Sequence, residues 1–466
     1  MGKLKLRGKD LRSIGYPEGP VVSVAMQVME KNYKHATAEE AIEVLVKVLA
    51  EPAEYITDEV LGAIAKLLVE EPKKVFEGVE LNETGIPFNT YGAAHIEEGA
   101  FAQMQIAARL PVSVAGALMP DAHQGYGLPI GGVLATENAI IPYGVGVDIG
   151  CRMCLSLFDI PAGDLLARDK FYTRELLANT LFGAGREFKE LVEHEVLDRK
   201  EFNAVPFLKN LQMKAAKQLG SSGSGNHFVE WGIADITSEQ NALGVSAGKY
   251  VALLSHSGSR GLGATIANHY TKLAMEKTVL PKEAKHLAWL NLDSEEGMEY
   301  WLAMNLAGDY ASACHHTIHR KMAKAIGEKP IAMVENHHNF AWKETWEGKE
   351  VIVHRKGATP AGKDVLGIIP GSMTAPGFIV KGKGASASIN SASHGAGRKM
   401  SRGAAFKSIT RNALKEVLDA HNVKLLGGGL DEAPMAYKNI HDVMAAQEEL
   451  VEVVGLFYPR IVKMDD

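Results

Sequence analysis

The chain has 466 residues, 46% of them hydrophobic and 23% charged, with 50 Lys and Arg against 56 Asp and Glu for a formal net charge of −6. This is the composition of a globular protein with a sizeable core, long enough for roughly three domains of about 150 residues. It excludes a surface coated with positive charge but not a focused basic groove. The cysteines Cys151, Cys154 and Cys314 cannot make a disulfide framework; no apolar segment of a signal peptide follows the N-terminus, and no run of about 18 apolar residues is present. A reducing, cytoplasmic setting away from the membrane is therefore expected.

Residues 1–88 read as a helical N-terminal extension. Thr37 and Glu40 form a capping-box pattern before Ala41, Leu45, Val48 and Leu49 on one helical face, and a second helix is expected to bury Val60, Ile64, Leu67 and Leu68. From about Asn89 the texture changes. A short helix near Ile96–Ala108 leads into an apolar strand, a glycine-punctuated loop carrying Asp121, His123 and Gln124, and a second strand. Helices follow near Thr173–Phe182 and Lys209–Leu219, the latter ended by Gly220. The segment VALLSHSGSRGLG has strand, Gly/Ser loop and helix in an order that presents backbone N–H groups to a phosphate, but it lacks the Lys-Ser/Thr ending of a Walker A loop.

A long helix is expected near Ser294–Ile326. In it, His315 and His319 of CHHTIH lack the Glu of a zinc-protease motif and read as a partly exposed face. The last third alternates short strands with glycine turns and ends in a strand reaching Lys463. No linker or repeat interrupts it, so residues 89–466 read as one large mixed unit of strands and helices.

The stretch GVGVDIGCRMC places Asp148 and Cys151 three residues apart in a glycine-spaced run. On its own it reads as a buried strand end with a structural thiol. Three separated histidines change the balance: His227 in NHF, His256 in HSGSRG and His338 in HHN each stand in a tight polar context. One thiolate, one carboxylate and three imidazoles suit zinc, cobalt, iron or manganese, and spacing does not choose among them. His394, flanked by Gly395, Gly397, Arg398 and Arg402, is a second focus. Its nitrogen is a competent nucleophile toward phosphorus, and nearby guanidinium groups stabilise phosphate charge. A solvated turn before a helix is the equal alternative. Arg355, Lys356, Lys381 and Lys383 are candidates for a basic strip along an RNA backbone.

In this order, the motifs MPDAHQGYGLPIGG, GVDIGC, GSGNHFVE, HSGSRGLG, HHN, HRKGA, PGSM, HGAGRKMSR and DEAPMAYK resemble the RtcB family of RNA-splicing ligases over roughly Leu118–Lys463. The resemblance implies an α+β fold, with a large catalytic domain of mixed β-sheets flanked by helices (89–466) after the helical extension (1–88). It further implies a GTP- and Mn²⁺-dependent ligase joining RNA 3′-phosphate or 2′,3′-cyclic phosphate ends to 5′-hydroxyl ends, in RNA repair or tRNA splicing, with an accessory activating protein as a partner. His394 would be the guanylylated nucleophile. Cys151 would bridge two Mn²⁺ ions, Asp148 and His227 holding one and His256 and His338 the other. Glu230 would read guanine and Asn226 the phosphates, with Ser372, Ala396, Gly397, Tyr437 and Lys463 as further nucleotide contacts. Asp121 would support the centre.

The sequence departs from the family pattern at Arg152-Met153-Cys154, where Gly-Val-Arg is usual, and after PGSM. Further departures are Cys314-His315, in place of a common Asn-Arg, and the C-terminal VKMDD. Cys154 is expected to be structural rather than a ligand. Two other readings use the same residues: a metal-dependent phosphoesterase opening cyclic phosphate ends, and a non-catalytic RNA- or ribosome-associated binding protein. The donor set argues against the latter, since a pure binder has no need of five metal-competent side chains.

Overall fold

A computed structural model describes residues 6–17, 20–69 and 77–465. By compactness the chain divides between Glu77 and Gly78. The first unit is helical (Gly8–Ser13, Pro20–Asn32, Ala38–Ala50, Gly62–Leu68) around a core that includes Leu11, Met29, Leu45, Val48 and Ile64. The capping box forms: Glu40 N donates to Thr37 Oγ1 at 3.2 Å and Thr37 N to Glu40 Oε2 at 2.7 Å. The last helix begins only at Gly62, so its buried residues include Ile64 and Ala65, while Leu67, expected inside, is 48% exposed.

The second unit mixes helices with two main sheets, an α+β architecture. The larger sheet runs Leu366–Ile369, Gly377–Gly382, Val451–Lys463, Phe228–Ile236, Gly248–Ser257, Arg152–Pro161, Pro330–His337, each antiparallel to the next, with Lys424–Leu426 parallel beside Val451–Lys463. The smaller runs Phe88–Thr90, Ser113–His123, Ile130–Thr136, Lys349–Lys356, Asn339–Trp346.

Side chains alternate across the strands of the larger sheet. Met153, Leu155, Leu157, Ala252 and Leu254 pack with Val334, Ile379 and Phe457 on one face, whereas Phe158, Val251 and Leu253 pack with Ile318 and Met322 of the helix Glu295–Ile326 on the other. That helix is capped by Ser294 Oγ, which accepts from Gly297 N at 3.1 Å, and ends at Gly327 in the left-handed region.

Three expectations are corrected. His315 and His319 are fully or almost fully buried against the sheet, and only His316 of that segment is substantially exposed. The helix is covered by strands on that side, which hydropathy of the helix alone does not reveal. Arg355 does not belong to a basic strip: it is fully buried, ion-paired to Glu344, hydrogen-bonded to Ser391 Oγ at 2.7 Å and stacked 4.7 Å from the Trp342 ring centroid. Lys356 is also buried, donating to the Tyr126 carbonyl, and burial pushes its pKa down to about 7. Finally, Asp121 and His123 lie at the end of the strand Ser113–His123, not on the loop that follows.

Candidate active site

The register of the larger sheet gathers the site. Cys151 immediately precedes Arg152–Pro161, and His227 immediately precedes Phe228–Ile236; His256 lies at the end of Gly248–Ser257, paired in register with both Met153 and Phe228. His338 is the single residue between the strands Pro330–His337 and Asn339–Trp346, where the chain leaves one sheet for the other, and its N–H donates to the Cys151 carbonyl at 3.0 Å.

The five candidate ligands converge. Asp148 Oδ2 is 2.9 Å from His227 Nε2, Cys151 Sγ is 3.5 Å from His227 Nε2 and 3.2 Å from His256 Nε2, and the Nε2 atoms of His256 and His338 are 3.2 Å apart. Ligands bonded at about 2.0–2.3 Å to one cation are themselves ~3–4 Å apart, so these spacings suit a shared metal. A Cβ at residue 258 would lie 2.1 Å from Asp148 Oδ1, so Gly258 leaves the space that the carboxylate uses.

Hydrogen bonding fixes the histidine protons. His256 Nδ1 is 2.9 Å from the Asn226 carbonyl and must donate to it, leaving a lone pair on Nε2. His227 Nδ1 is 3.0 Å from the Arg260 guanidinium, which only donates, so Nε2 carries the proton toward Asp148. His338 Nδ1 is buried with no hydrogen-bond partner.

Burial holds these imidazoles neutral, with His256 pushed down to about 3. Burial would raise Asp148, but the hydrogen bond from His227 and the positive charge of Arg260 beside it hold the carboxyl well below its usual range. Burial and the charge of Asp148 push the Cys151 thiol up. A cation is what would reverse that penalty and make it a thiolate. The donor set fits a transition metal.

His394 follows the short strand Ser391–Ser393, which pairs with Ala358–Pro360, and the backbone of that ribbon hydrogen-bonds to His338 through Ala358 N at 3.3 Å. The His394 and His338 ring centroids are 4.9 Å apart. Asp121, fully buried, accepts from His394 Nδ1 at 2.7 Å and from the backbone N–H groups of His394 and Gly395 at 3.1 and 3.4 Å through one oxygen, Oδ2. The proton therefore sits on Nδ1, and Nε2 keeps its lone pair.

His394 lines a cleft together with Asn226, Glu230, His256, Ser372, Ala396, Gly397 and Tyr437. Burial raises Glu230 well above the carboxylate range. Lys463 stands apart from the other proposed nucleotide contacts. It does not line the cleft; its ammonium donates to the Thr180 carbonyl at 3.4 Å and lies 5.4 Å from the Phe182 ring centroid.

Sequence reading missed two partners. Arg260 stands in HSGSRG, where only the histidine drew notice. Glu432 binds Arg402 and the Tyr437 hydroxyl, and Arg398 approaches it at 3.7 Å, tying both arginines flanking His394 into one network. The acidic residues of DEAPMAYK opposite the basic HGAGRKMSR were the available signal.

The family model for the tRNA-splicing ligase RtcB matches residues 103–464. The RNA-splicing ligase RtcB of Escherichia coli strain K12 is 34% identical over 366 residues, covering 72% of this chain and 87% of that protein. The tRNA-splicing ligase RtcB of Methanococcus maripaludis is 31% identical over 424 residues (75% and 87%), and that of Thermococcus kodakarensis 31% over 404 (71% and 83%). With its motifs assembled at one end of the larger sheet and most of its length matched, the chain belongs to the RtcB family.

Proposed function

We propose that this protein is an RNA ligase that joins RNA 3′-phosphate or 2′,3′-cyclic phosphate ends to 5′-hydroxyl ends, using GTP and Mn²⁺ in a cytoplasmic setting. One observation carries the reading: His394, its Nδ1 held by Asp121 at 2.7 Å, stands between the metal-competent cluster and a cleft lined by Asn226 and Glu230. Asp148 and His227 would hold one ion and His256 and His338 the other, with Cys151 shared. Bound there, the ions would neutralise phosphate charge and favour in-line displacement. A cation on His227 Nε2 requires that nitrogen's proton to leave and the Arg260 hydrogen bond to break.

His394 Nε2 attacks the α-phosphorus of GTP, an N–P bond forms, the bond to the bridging oxygen breaks and pyrophosphate departs. The GMP then passes to the RNA 3′-phosphate, and the 5′-hydroxyl displaces it, closing the phosphodiester. Asp121 fixes the imidazole tautomer and stabilises the positive charge that develops on the ring. Glu230, at the buried wall of the cleft, retains its proton through burial and gives it up as guanine binds, so that its carboxylate accepts two N–H groups of the base. ATP lacks that donor pair and leaves the carboxylate unpaired, which selects against it.

Incubation with GTP labelled at the α-phosphate and Mn²⁺ labels the wild-type protein, and His394→Ala abolishes the label. Label that survives the substitution overturns the assignment of the nucleophile. Opening of cyclic phosphate ends without GTP, and without longer RNA, would instead make the protein a phosphoesterase.

A further inference from the structure

Behind the Cys151 centre, a second set of buried donors meets between sheet and helix. Cys154 and Ser156 on Arg152–Pro161 face the helix Glu295–Ile326 together with Ser255 and Ser257 on the neighbouring strand, Cys154 and Ser255 being register partners. From the helix, His315 and His319 come down one turn apart. All six side chains are buried, and the ligand atoms of Cys154, His315 and His319 lie within 4.8 Å of one another.

The hydrogen bonds sort the imidazole nitrogens into outer and inner. The outer ones are anchored: His315 Nε2 donates to the Ser257 carbonyl at 3.1 Å, and His319 Nδ1 is 2.7 Å from Ser156 Oγ. The inner ones, His315 Nδ1 and His319 Nε2, both aim at Ser255 Oγ, at 2.6 and 2.8 Å. Metal-ligating histidines are held in this way, with the far nitrogen tied to a carbonyl or hydroxyl and the near one aimed at a shared point.

A hydroxyl has one proton and can donate to only one of the two inner nitrogens. Without a cation, His319 must therefore carry its proton on Nε2 and accept from Ser156. Burial holds both imidazoles neutral, which keeps lone pairs available.

We propose that Cys154, His315 and His319, with Ser255 Oγ as the fourth donor, form a structural site for a zinc-class divalent cation, separate from the Asp148–Cys151 centre. As the cation enters, the Cys154 thiol releases one proton to solvent, and His319 moves its proton from Nε2 to Nδ1, where Ser156 Oγ accepts it. A tetrahedral shell with bonds of about 2.0–2.3 Å has edges of roughly 3.3–3.8 Å, so loading draws Cys154, His315 and His319 together by up to about 1 Å and moves Ser255 Oγ outward from its hydrogen-bonding position between the two imidazoles. One thiolate and two imidazoles suit zinc or cobalt and disfavour magnesium and calcium. Glu335, ion-paired to Arg152 at 3.3 Å and near enough to act electrostatically on Cys154 and His315, supplies countercharge. This gives Cys154 a ligand role in place of the structural one expected from sequence. It would also pin the long helix to the strand that follows Cys151, and it does not depend on the ligase reading.

The test uses the full chain, stripped with chelator and titrated with Co²⁺ in a Cys151→Ser background, which removes the thiolate of the first centre. One thiolate-to-Co²⁺ charge-transfer band is expected, saturating near one equivalent and displaced by Zn²⁺. Adding Cys154→Ala should remove the band, and His319→Gln should weaken Co²⁺ binding at least tenfold. Absence of the band in Cys151→Ser protein that retains wild-type circular dichroism overturns the site, as does a band that survives Cys154→Ala, which would assign it to Cys314. If Cys154→Ala does not fold, His319→Gln carries the decision: a charge-transfer band that saturates at the same Co²⁺ concentration there overturns the site.

Discussion

At the scale of single residues, the carboxylate of Asp121 does the most with one atom, since its Oδ2 orders the imidazole of His394 and receives two backbone N–H groups. Asp121→Asn keeps the shape but removes the charge that favours the nucleophilic tautomer. We expect the rate of α-phosphate labelling to fall about 10²–10⁴-fold, with GTP affinity changed little; equal losses in rate and affinity would show that Asp121 shapes the cleft instead.

His354 belongs to stability rather than chemistry. It is fully buried, its Nε2 accepts from Ile141 N at 2.9 Å, its Nδ1 donates to the Leu134 carbonyl at 3.2 Å, and burial pushes its pKa down to about 4. The unfolded chain titrates this group near 6.5, so the unfolded state binds more protons between those values. The stability contributed is complete above about pH 6.5 and is lost as pH falls through 4, about 3 kcal/mol in all. Denaturant midpoints measured from pH 7 to 4 should show this decline, and His354→Phe should flatten it.

At the scale of elements, strand register and one glycine place the nucleophile. Gly397 has φ +72°, and a Cβ there would stand 2.2 Å from the Asp121 carbonyl oxygen, inside contact distance of backbone that cannot yield. Gly397→Ala should therefore displace the His394 loop from Asp121, costing about 1–3 kcal/mol in strain. Labelling should drop well before the melting temperature does; normal labelling would show that the loop adjusts. The larger sheet explains why four separated sequence positions meet. Each ligand-bearing residue lies at or beside a strand end, and antiparallel pairing brings Cys151, His227, His256 and His338 to a common end.

At the scale of the whole molecule, each unit has its own hydrophobic core, one including Leu11, Met29 and Leu45, the others within residues 78–466. All the candidate catalytic and metal residues belong to the second unit. A chain beginning at Gly78 should therefore still take the α-phosphate label on His394. Loss of label from protein that melts cooperatively would show that the helical unit contributes to the reaction. Among the described residues no helix is long and apolar enough to cross a membrane.

The sequence by itself determined the helical start with its Thr37–Glu40 capping box, the long helix, and the motif set that carries Asp148, Cys151, His227, His256, His338 and His394. These are local features, written in periodicity, capping residues and glycine-flanked polar side chains. Only the tertiary structure decided which side chains are covered and what they face. Arg355 looked like a cation for a phosphate because sequence shows its charge but not its ion pair with Glu344 on the next strand. His315 and His319 looked half-exposed because helical period marks a stripe without naming the sheet that buries it. The same limit applied to Lys463, whose contact with the Thr180 carbonyl no spacing along the chain shows. Burial and pairing are properties of contacts between segments far apart in the chain, and no spacing along it encodes them.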